Sequence, residues 1–208
     1  MAPDAAQLLV RHYTSCFQRH GATPQGVNWP NAKDIDTCYR VMMEAIRPED
    51  RVRCELLDLG CGYGALKDYM NAKGLKYKYH GIDLSDPMLD EARRRHPGVT
   101  FERRDVVAAP LPNACVDYVI MNGVFTEKRE LSFDAMEQFM HAMLAAAFLS
   151  SRKGIAFNVM SVHVEWQRDD LFHLPLDRLF AFLKLRLSRH IVFRLDYGLW
   201  STRPMCTD

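Results

Sequence analysis

The fold of this chain is decided by residues 56–64, LLDLGCGYG. The segment opens as a short apolar run interrupted by Asp58, which is typical of a buried strand. Gly60, Gly62 and Gly64 follow, and a helical pattern begins directly after them. Glycines between a strand and a helix let the chain turn sharply and bring its backbone, with the helix N-terminus, against a ligand. We therefore expect a ligand site at the end of this strand.

Segments with strand and helix periodicity alternate along the chain from residue 52 onward. This alternation favours an α/β protein with a three-layer, Rossmann-like fold, in which helices cover both faces of a mainly parallel sheet. Strands are predicted at residues 54–59, 77–82, 99–102, 116–121, 155–160 and 190–195, and helices at 65–72, from Ser85 or Asp86 to about residue 96, at 133–151 and at 174–188. In such a sheet, ligands bind just beyond the carboxyl ends of the strands.

Composition excludes several classes of function. The 208 residues are 48% hydrophobic and 25% charged with a formal net charge of +1, so no strong overall field attracts nucleic acid or an acidic membrane. The N-terminus does not read as a secretory signal, and no apolar run reaches the ~18 residues of a membrane span. The six cysteines form no Cys-x-x-Cys pair. We expect a cytoplasmic protein with no metal, no membrane attachment and no nucleic-acid partner.

Three carboxylates stand at the ends of the first three strands. Asp58 precedes the glycines, where burial of an isolated carboxylate is costly unless a ligand cation, such as a sulfonium amino acid, offsets it. Asp83 closes the second strand, where an acid can accept both ribose hydroxyls of an adenosine, in NAD as well as in other nucleosides. Asp105 follows the third strand and could accept from an adenine amino group. Gly60, Gly62 and Ala65 also satisfy the G-x-G-x-x-G/A pattern of nicotinamide enzymes, although Asp58 and Gly64 fit that pattern poorly.

Taken in order, these segments resemble class I S-adenosylmethionine (SAM)-dependent methyltransferases. The resemblance rests on residues 56–64, 81–85, Asp105 and 109–121, and it covers roughly residues 50–160. It implies that the glycine loop holds the methionine part of SAM, that the end of the second strand holds the ribose, and that the end of the third flanks the adenine. It also places the end of the fourth strand beneath the methionine part, facing the methyl acceptor. The implied cofactor residues are Asp58, Gly60, Cys61, Gly62, Gly64, Asp83, Leu84, Asp105, Val106, Asn122 and Gly123.

The resemblance further implies one domain, in which a helical lid of residues 1–50 covers a SAM-binding core of residues 51–208. Tyr13 and Trp29 would then line the acceptor pocket, although Trp29 could equally pack into its own loop. His163, after the fifth strand, is the candidate general base because its pKa lies near the working pH. Glu127 and Lys128, after the fourth strand, are expected to be exposed.

Two features depart from the family. Its last two strands form a hairpin, but residues 199–208 contain Pro204 and show no alternation, so we expect a poor strand and an incomplete final hairpin. Residues 122–125 read NGVF, where methyltransferases acting on DNA bases or glutamine carry Asn-Pro-Pro-Tyr or similar, so their way of holding a planar amino group is not supported.

The leading hypothesis is a SAM-dependent methyltransferase that acts on an O or N atom of a small-molecule acceptor, as a monomer or homodimer. A compact acceptor is favoured because the sequence has no additional substrate domain and no basic face. Two alternatives remain open. One is a non-catalytic SAM-binding partner subunit, which the weak final strand suggests because an open sheet edge can pair with another chain. The other is a nicotinamide-dependent oxidoreductase that uses the same glycine loop.

Overall fold

The computed structural model describes residues 5–199 and the backbone of residues 201–207. The helices are α1 (Ala5–His20), α2 (Ala32–Met43), α3 (Ala65–Ala72), α4 (Asp86–Arg95), α5 (Phe133–Ser150) and α6 (Leu176–Arg186). The strands are β1 (Glu55–Leu59), β2 (Lys78–Asp83), β3 (Thr100–Arg103), β4 (Val116–Phe125), β5 (Ser151–Ser161), β6 (His173–Leu174), β7 (His190–Arg194) and β8 (Ser201–Thr207). Within the described part, no helix combines the length and apolar character needed to cross a bilayer.

The strands form one eight-stranded sheet in the order β3-β2-β1-β4-β5-β8-β7, with the short β6 paired to the end of β5. β1 runs parallel to β2 on one side and to β4 on the other. The chain therefore leaves β1 and β4 in opposite directions, and a crevice opens between their carboxyl ends. The predicted mainly parallel sheet is confirmed.

The prediction of a poor C-terminal strand is wrong. β8 lies between β5 and β7 and is antiparallel to both, so the final hairpin is complete. Pairing between β5 and β8 is interrupted between the pairs Ala156↔Met205 and Val159↔Thr202, and Pro204 lies in this interruption. A proline lacks the N–H that a continuous ladder would need there, so the interruption accommodates it. Pairing with two neighbours thus overrides the weak local pattern. Asp208 lies outside the described residues.

Alternate side chains of the central strands enter two different cores. On one face, Leu57, Val119 and Phe157 pack with α5 and α6. On the other face, Leu56 and Ile120 pack with α2, α3 and α4. This period-two division confirms the three-layer arrangement. α1 contacts both α4 and α5, which places it across the carboxyl ends of the strands rather than on a face of the sheet.

Candidate functional site

An open cleft lies at the carboxyl ends of β1, β2 and β4. The sheet end, the glycine loop, α1 and the segment after α1 all contribute to its wall. The predicted site residues that line it are Gly60, Cys61, Gly62, Asp83, Leu84, Asp105, Val106, Asn122, Gly123, Tyr13 and Trp29. Asp58, Gly64 and His163 are the predicted residues that do not line it.

The glycine loop is shaped by backbone geometry that side chains would prevent. Gly60 has a φ of 83°, and a Cβ atom built there would lie 2.5 Å from Cγ2 of Val124, at the end of β4. The amides of Gly60 and Cys61 both donate to the carbonyl of Ile82, at 2.8 and 3.1 Å. The loop therefore turns back onto the end of β2 and presses against β4, which leaves bare backbone facing the cleft.

Gly64 does not line the cleft and instead lies where two helices pack together. It precedes the first residue of α3 with a φ of 83°, and a Cβ atom there would lie 2.9 Å from the His96 ring. The same His96 approaches the Gly64 carbonyl through Nε2, at 3.2 Å. The third glycine of the motif thus permits close packing of α3 against the end of α4.

Asp83 lies in the cleft wall, and its carboxylate binds backbone amides on both sides of it. Its Oδ2 accepts a hydrogen bond from the Gly62 amide at 2.8 Å, and its Oδ1 accepts from the amides of Leu84 and Ser85 at 2.7 and 2.9 Å. Burial raises the pKa of this carboxyl, and the three amide bonds oppose that rise. Since a carboxylate offers about four acceptor positions, the side chain keeps one for a ligand hydroxyl while holding the glycine loop in place.

The structure corrects the expectation for Asp58. Its side chain is 3% exposed and lies beneath the loop, where Oδ2 accepts from the Tyr79 hydroxyl at 2.6 Å. The pKa of Asp58 is raised to about 7, chiefly by burial and also by the nearby Asp83, against the lowering effect of the Tyr79 bond. The Tyr79 hydroxyl therefore offsets part of the burial cost. The β1 pattern could not show this, because Tyr79 lies on β2.

Asp105 and Val106 form the far end of the cleft, after β3. The Oδ1 atom of Asp105 accepts from the amides of Val107 and Ala108 at 2.9 and 3.2 Å, which fixes the turn and leaves Oδ2 for a ligand. Val106 is 4% exposed and supplies an apolar surface beside it. An acceptor next to an apolar wall suits a planar ring that carries an amino group.

Hydrogen bonds join the described part of the N-terminal segment to the core. The Tyr13 hydroxyl donates to the Gly123 carbonyl at 3.1 Å, and the hydroxyls of Thr14 and Ser85 lie 2.7 Å apart. Asn28 donates through Nδ2 to the Glu127 carboxylate. Trp29 packs over Gly123, since a Cβ atom there would lie 3.3 Å from the indole Nε1. α1 and residues 21–31 thus close one side of the cleft.

The expectation that Glu127 is exposed is wrong. Its side chain is 6% exposed and accepts from Arg129 at 3.1 Å as well as from Asn28, while His12 lies 3.8 Å away. Asn28 and Arg129 both adopt positive φ values, 58° and 50°, in reaching it. Non-glycine residues in this region carry some strain, which the shared buried carboxylate offsets. No local pattern marks Glu127 as buried, because Asn28 and His12 lie far away in the sequence.

His163 does not join the site. It is exposed, and its amide donates to the Ser161 hydroxyl at 3.0 Å in the turn that follows β5. β5 extends to Ser161, so the chain reaches His163 only beyond the sheet end and then turns toward β6. The structure therefore gives no support to its role as a base. No group of three or more His, Cys, Asp or Glu side chains suited to a metal occurs among the described residues.

Comparisons with known proteins agree with this geometry. The family model of a methyltransferase domain matches residues 56–147. A Mycobacterium tuberculosis protein described as a methyltransferase is 34% identical over 145 residues, which cover 69% of this chain and 86% of that protein. Trans-aconitate 2-methyltransferase of Methylobacterium nodulans is 42% identical over 69 residues, which cover 33% of this chain and 26% of that enzyme.

The fold also matches solved structures along nearly its whole length. Magnesium protoporphyrin IX methyltransferase from Synechocystis PCC 6803, crystallised with SAM, superposes with a TM-score of 0.69 and covers 99% of this chain and 98% of that one. Its 15% sequence identity makes this a likeness of fold. The glycine loop, the order of the strands and the related sequences together show that this chain belongs to the class I SAM-dependent methyltransferases.

Proposed function

We propose that this methyltransferase transfers the methyl group of SAM to an O or N atom of a small-molecule acceptor. The observation that carries the proposal is the cleft, whose wall combines the glycine loop with the side chains of Tyr13 and Trp29. Arg104 is the one cationic side chain among the described lining residues, beside the carboxylates Asp83 and Asp105. A deep, largely apolar pocket of this kind suits a small molecule, whereas a nucleic-acid substrate calls for a basic surface.

The residues present fit SAM. Gly60 and Gly62 supply bare backbone in the cleft wall, and the remaining acceptor position of Asp83 suits a ribose hydroxyl. Asp105 and Val106 suit the amino group and the ring of an adenine. SAM brings an electrophilic methyl group, so the protein has mainly to align a nucleophile with it and exclude water.

Exclusion of water is the role that we assign to the N-terminal segment, as a lid. α1 contributes Leu9 and Tyr13 to the cleft wall, and the following segment contributes Val27 and Trp29. The bonds of Tyr13 to Gly123 and of Asn28 to Glu127 hold this segment against the end of β4. A lid fixed at that point covers the acceptor side of the cleft.

The other functions that the sequence left open lose their support. Membership of the methyltransferase family removes the nicotinamide-dependent oxidoreductase. The non-catalytic subunit was motivated by an incomplete sheet edge, and β8 completes that edge.

The test begins with calorimetric titration of S-adenosylhomocysteine (SAH), the demethylated product of SAM, with NAD in parallel. We expect SAH binding and no NAD binding. SAM labelled on its methyl group is then incubated with the protein and either a small-molecule extract or total RNA. Label in the small-molecule fraction supports the proposal, whereas label in RNA alone contradicts it.

Asp83→Asn sharpens this test, with the exposed neighbour Asp86→Asn as the matched control. The amide keeps one acceptor atom but loses the charge and part of the acceptor capacity that hold Gly62 and a ligand hydroxyl. We expect SAH affinity to fall at least about tenfold in Asp83→Asn, the size of one lost hydrogen bond to a charged group, and to stay unchanged in Asp86→Asn. Circular dichroism of both variants checks that the fold survives. Equal affinities would contradict the placement of the ribose.

A further inference from the structure

One polar atom in the cleft wall has no partner. The side-chain Oδ1 of Asn122, at the end of β4, is buried without a hydrogen bond, and the residue lines the cleft beside Gly123. Buried side-chain oxygens are satisfied in most proteins, and an exception at a binding site points to a ligand. Because the atom is an acceptor, the ligand group that reaches it has to donate a hydrogen.

The backbone next to Asn122 is held from three directions. The Gly123 amide donates to Oδ1 of Asn158 at 2.7 Å, and the Gly123 carbonyl accepts from the hydroxyls of Tyr13 and Thr126, each at 3.1 Å. Asn158 itself is fully buried. The backbone that carries Asn122 is therefore held before any ligand arrives, as expected near a residue that orients a reacting group.

Charge is distributed unevenly along the cleft. Its described charged lining residues, Asp83, Arg104 and Asp105, all follow β2 and β3, on the side suited to the nucleoside. Arg104 is already engaged, by Glu102 at 2.7 Å and by backbone carbonyls. The lining residues contributed by β4, α1 and the segment before α2 carry no charge. Among the described lining residues, that end offers no cation to pair with a carboxylate or phosphate, and no carboxylate or imidazole to remove a proton.

We propose that the acceptor is an uncharged primary or secondary amine whose N–H donates to Oδ1 of Asn122. The inference rests on the proposed function and narrows it. The nitrogen lone pair forms the new N–C bond as the methyl carbon separates from sulfur, and the S–C electron pair stays on sulfur. The positive charge passes from sulfur to nitrogen, and the added nitrogen proton later leaves to water. No base is needed for this step, whereas a hydroxyl of high pKa would need one.

The hydrogen bond to Asn122 becomes stronger as the methyl group is transferred. The N–H becomes a stronger donor as the nitrogen gains positive charge, so its bond to Oδ1 of Asn122 strengthens in the transition state. Tyr13 and Trp29 line the cleft beside Gly123, and aromatic rings attract cations. A carboxylate or phenolate acceptor would instead bring its negative oxygen toward the oxygen of Asn122, with no cation nearby.

The surroundings of Asn122 differ from the Asn-Pro-Pro-Tyr arrangement that suits planar amino groups. Gly123 and Val124 follow it, and Trp29 from the N-terminal segment packs over Gly123 in their place. The wall over the acceptor thus comes from another part of the chain. Trans-aconitate 2-methyltransferase, a relative over 33% of this chain, is named for a carboxylic acid, and the neutral acceptor end described above does not suit such a substrate.

Three probes of similar size distinguish amine, hydroxyl and carboxylate acceptors. They are aniline, phenol and benzoate, titrated into the protein–SAH complex at pH 7. Aniline and phenol are neutral donors, and benzoate is an anionic acceptor. We expect the first two to bind at least about tenfold more tightly than benzoate. With labelled SAM, we expect methyl transfer to aniline at neutral pH and none to phenol until the pH approaches the pKa of phenol itself.

Asn122→Leu keeps the size of the side chain and removes the acceptor, and the exposed Asn113→Leu is its matched control. In Asn122→Leu we expect kcat with aniline, measured at saturating SAM, to fall at least about tenfold. Asn113→Leu should behave as the unmodified protein does. A loss of SAH binding in Asn122→Leu would assign the oxygen to SAM and overturn the inference. Tighter binding of benzoate, binding of no probe, or transfer to oxygen at neutral pH would also overturn it. If one of these results is found while the unmodified protein still binds SAH, only the inference about the acceptor fails. If the unmodified protein does not bind SAH, the proposed function itself fails.

Discussion

The two ends of the cleft, which we propose hold the cofactor and the acceptor, are built in different ways. At the proposed cofactor end, the glycine loop and Asp83 belong to one β-loop-α-β segment, and the loop amides donate to the Ile82 carbonyl and the Asp83 carboxylate. At the proposed acceptor end, Tyr13 bonds to Gly123 and Asn28 bonds to Glu127, across 110 and 99 positions of sequence. The first end depends on backbone conformation and the second on side chains that reach distant parts of the chain. The cofactor end should therefore be sensitive to an added Cβ atom, and the acceptor end to the loss of a polar group.

Gly60→Ala should have the largest effect. The substitution combines the left-handed φ of 83° with a contact of 2.5 Å to the β-branched Val124, which cannot move without β4. The strain of the φ alone costs about 1–2 kcal/mol, and the overlap adds to it. We expect SAH affinity to fall at least a hundredfold by calorimetry.

The control for this variant is Gly74→Ala. Gly74 has a similar φ of 67°, but a Cβ atom there meets nothing within 4 Å. It should lose about 1 kcal/mol of stability from the backbone strain and bind SAH normally. If both variants bound SAH equally well, the cofactor end would not depend on the shape of the loop.

Glu127→Ala tests the other end. Removing this buried carboxylate leaves Asn28 without its acceptor and leaves Arg129 with Asp170, at 2.7 Å. We expect the free energy of unfolding to fall by about 2 kcal/mol. This is less than the usual cost of breaking a buried ion pair, because Arg129 keeps Asp170 as a partner. Limited proteolysis should cut residues 21–31 faster.

Glu130→Ala, at an exposed site three positions away, is the matched control for Glu127→Ala. It should change stability by no more than about 0.5 kcal/mol. Unchanged proteolysis of Glu127→Ala would show that the bond between Asn28 and Glu127 does not hold the lid.

The same contrast explains what could be predicted from the sequence. The order of strands and helices, the glycine loop and Asp83 follow from local patterns, and the structure places them as expected apart from small shifts of the element ends. Glu127, Asp58 and β8 did not follow, because each depends on a partner far along the chain. Tyr79 satisfies Asp58, Asn28 satisfies Glu127, and β5 and β7 together hold β8. His163 lies outside the cleft wall for a related reason, since β5 carries the chain past the cleft before reaching it.

Asp58 lies beneath the boundary between the two ends and should affect stability more than ligand binding. Burial raises its pKa to about 7, so the folded protein holds a proton there that the unfolded chain, with a pKa near 3.8, releases at lower pH. This group therefore contributes stability at acidic pH that is lost as the pH rises from about 4 to 7. The slope reaches at most about 1.4 kcal/mol per pH unit.

Asp58→Asn should remove that slope while keeping an acceptor for the Tyr79 hydroxyl. Urea denaturation of both proteins at several pH values between 4 and 8 measures the difference between their unfolding free energies. SAH affinity should change less than threefold, because Asp58 does not line the cleft. A large loss of SAH affinity at equal stability would return Asp58 to the cofactor site.

Tyr13→Phe should have the smallest effect. The variant loses the bond to the Gly123 carbonyl, which still accepts from Thr126, and it keeps the ring in the cleft wall. A neutral hydrogen bond contributes about 1 kcal/mol, and a carbonyl with a second donor loses less when the first is removed. Thr126→Val and the double variant complete a cycle by thermal denaturation. Because the two hydroxyls share one carbonyl, the double variant should lose more than the sum of the single losses, and simple additivity would show that the lid and β4 do not depend on the same atom.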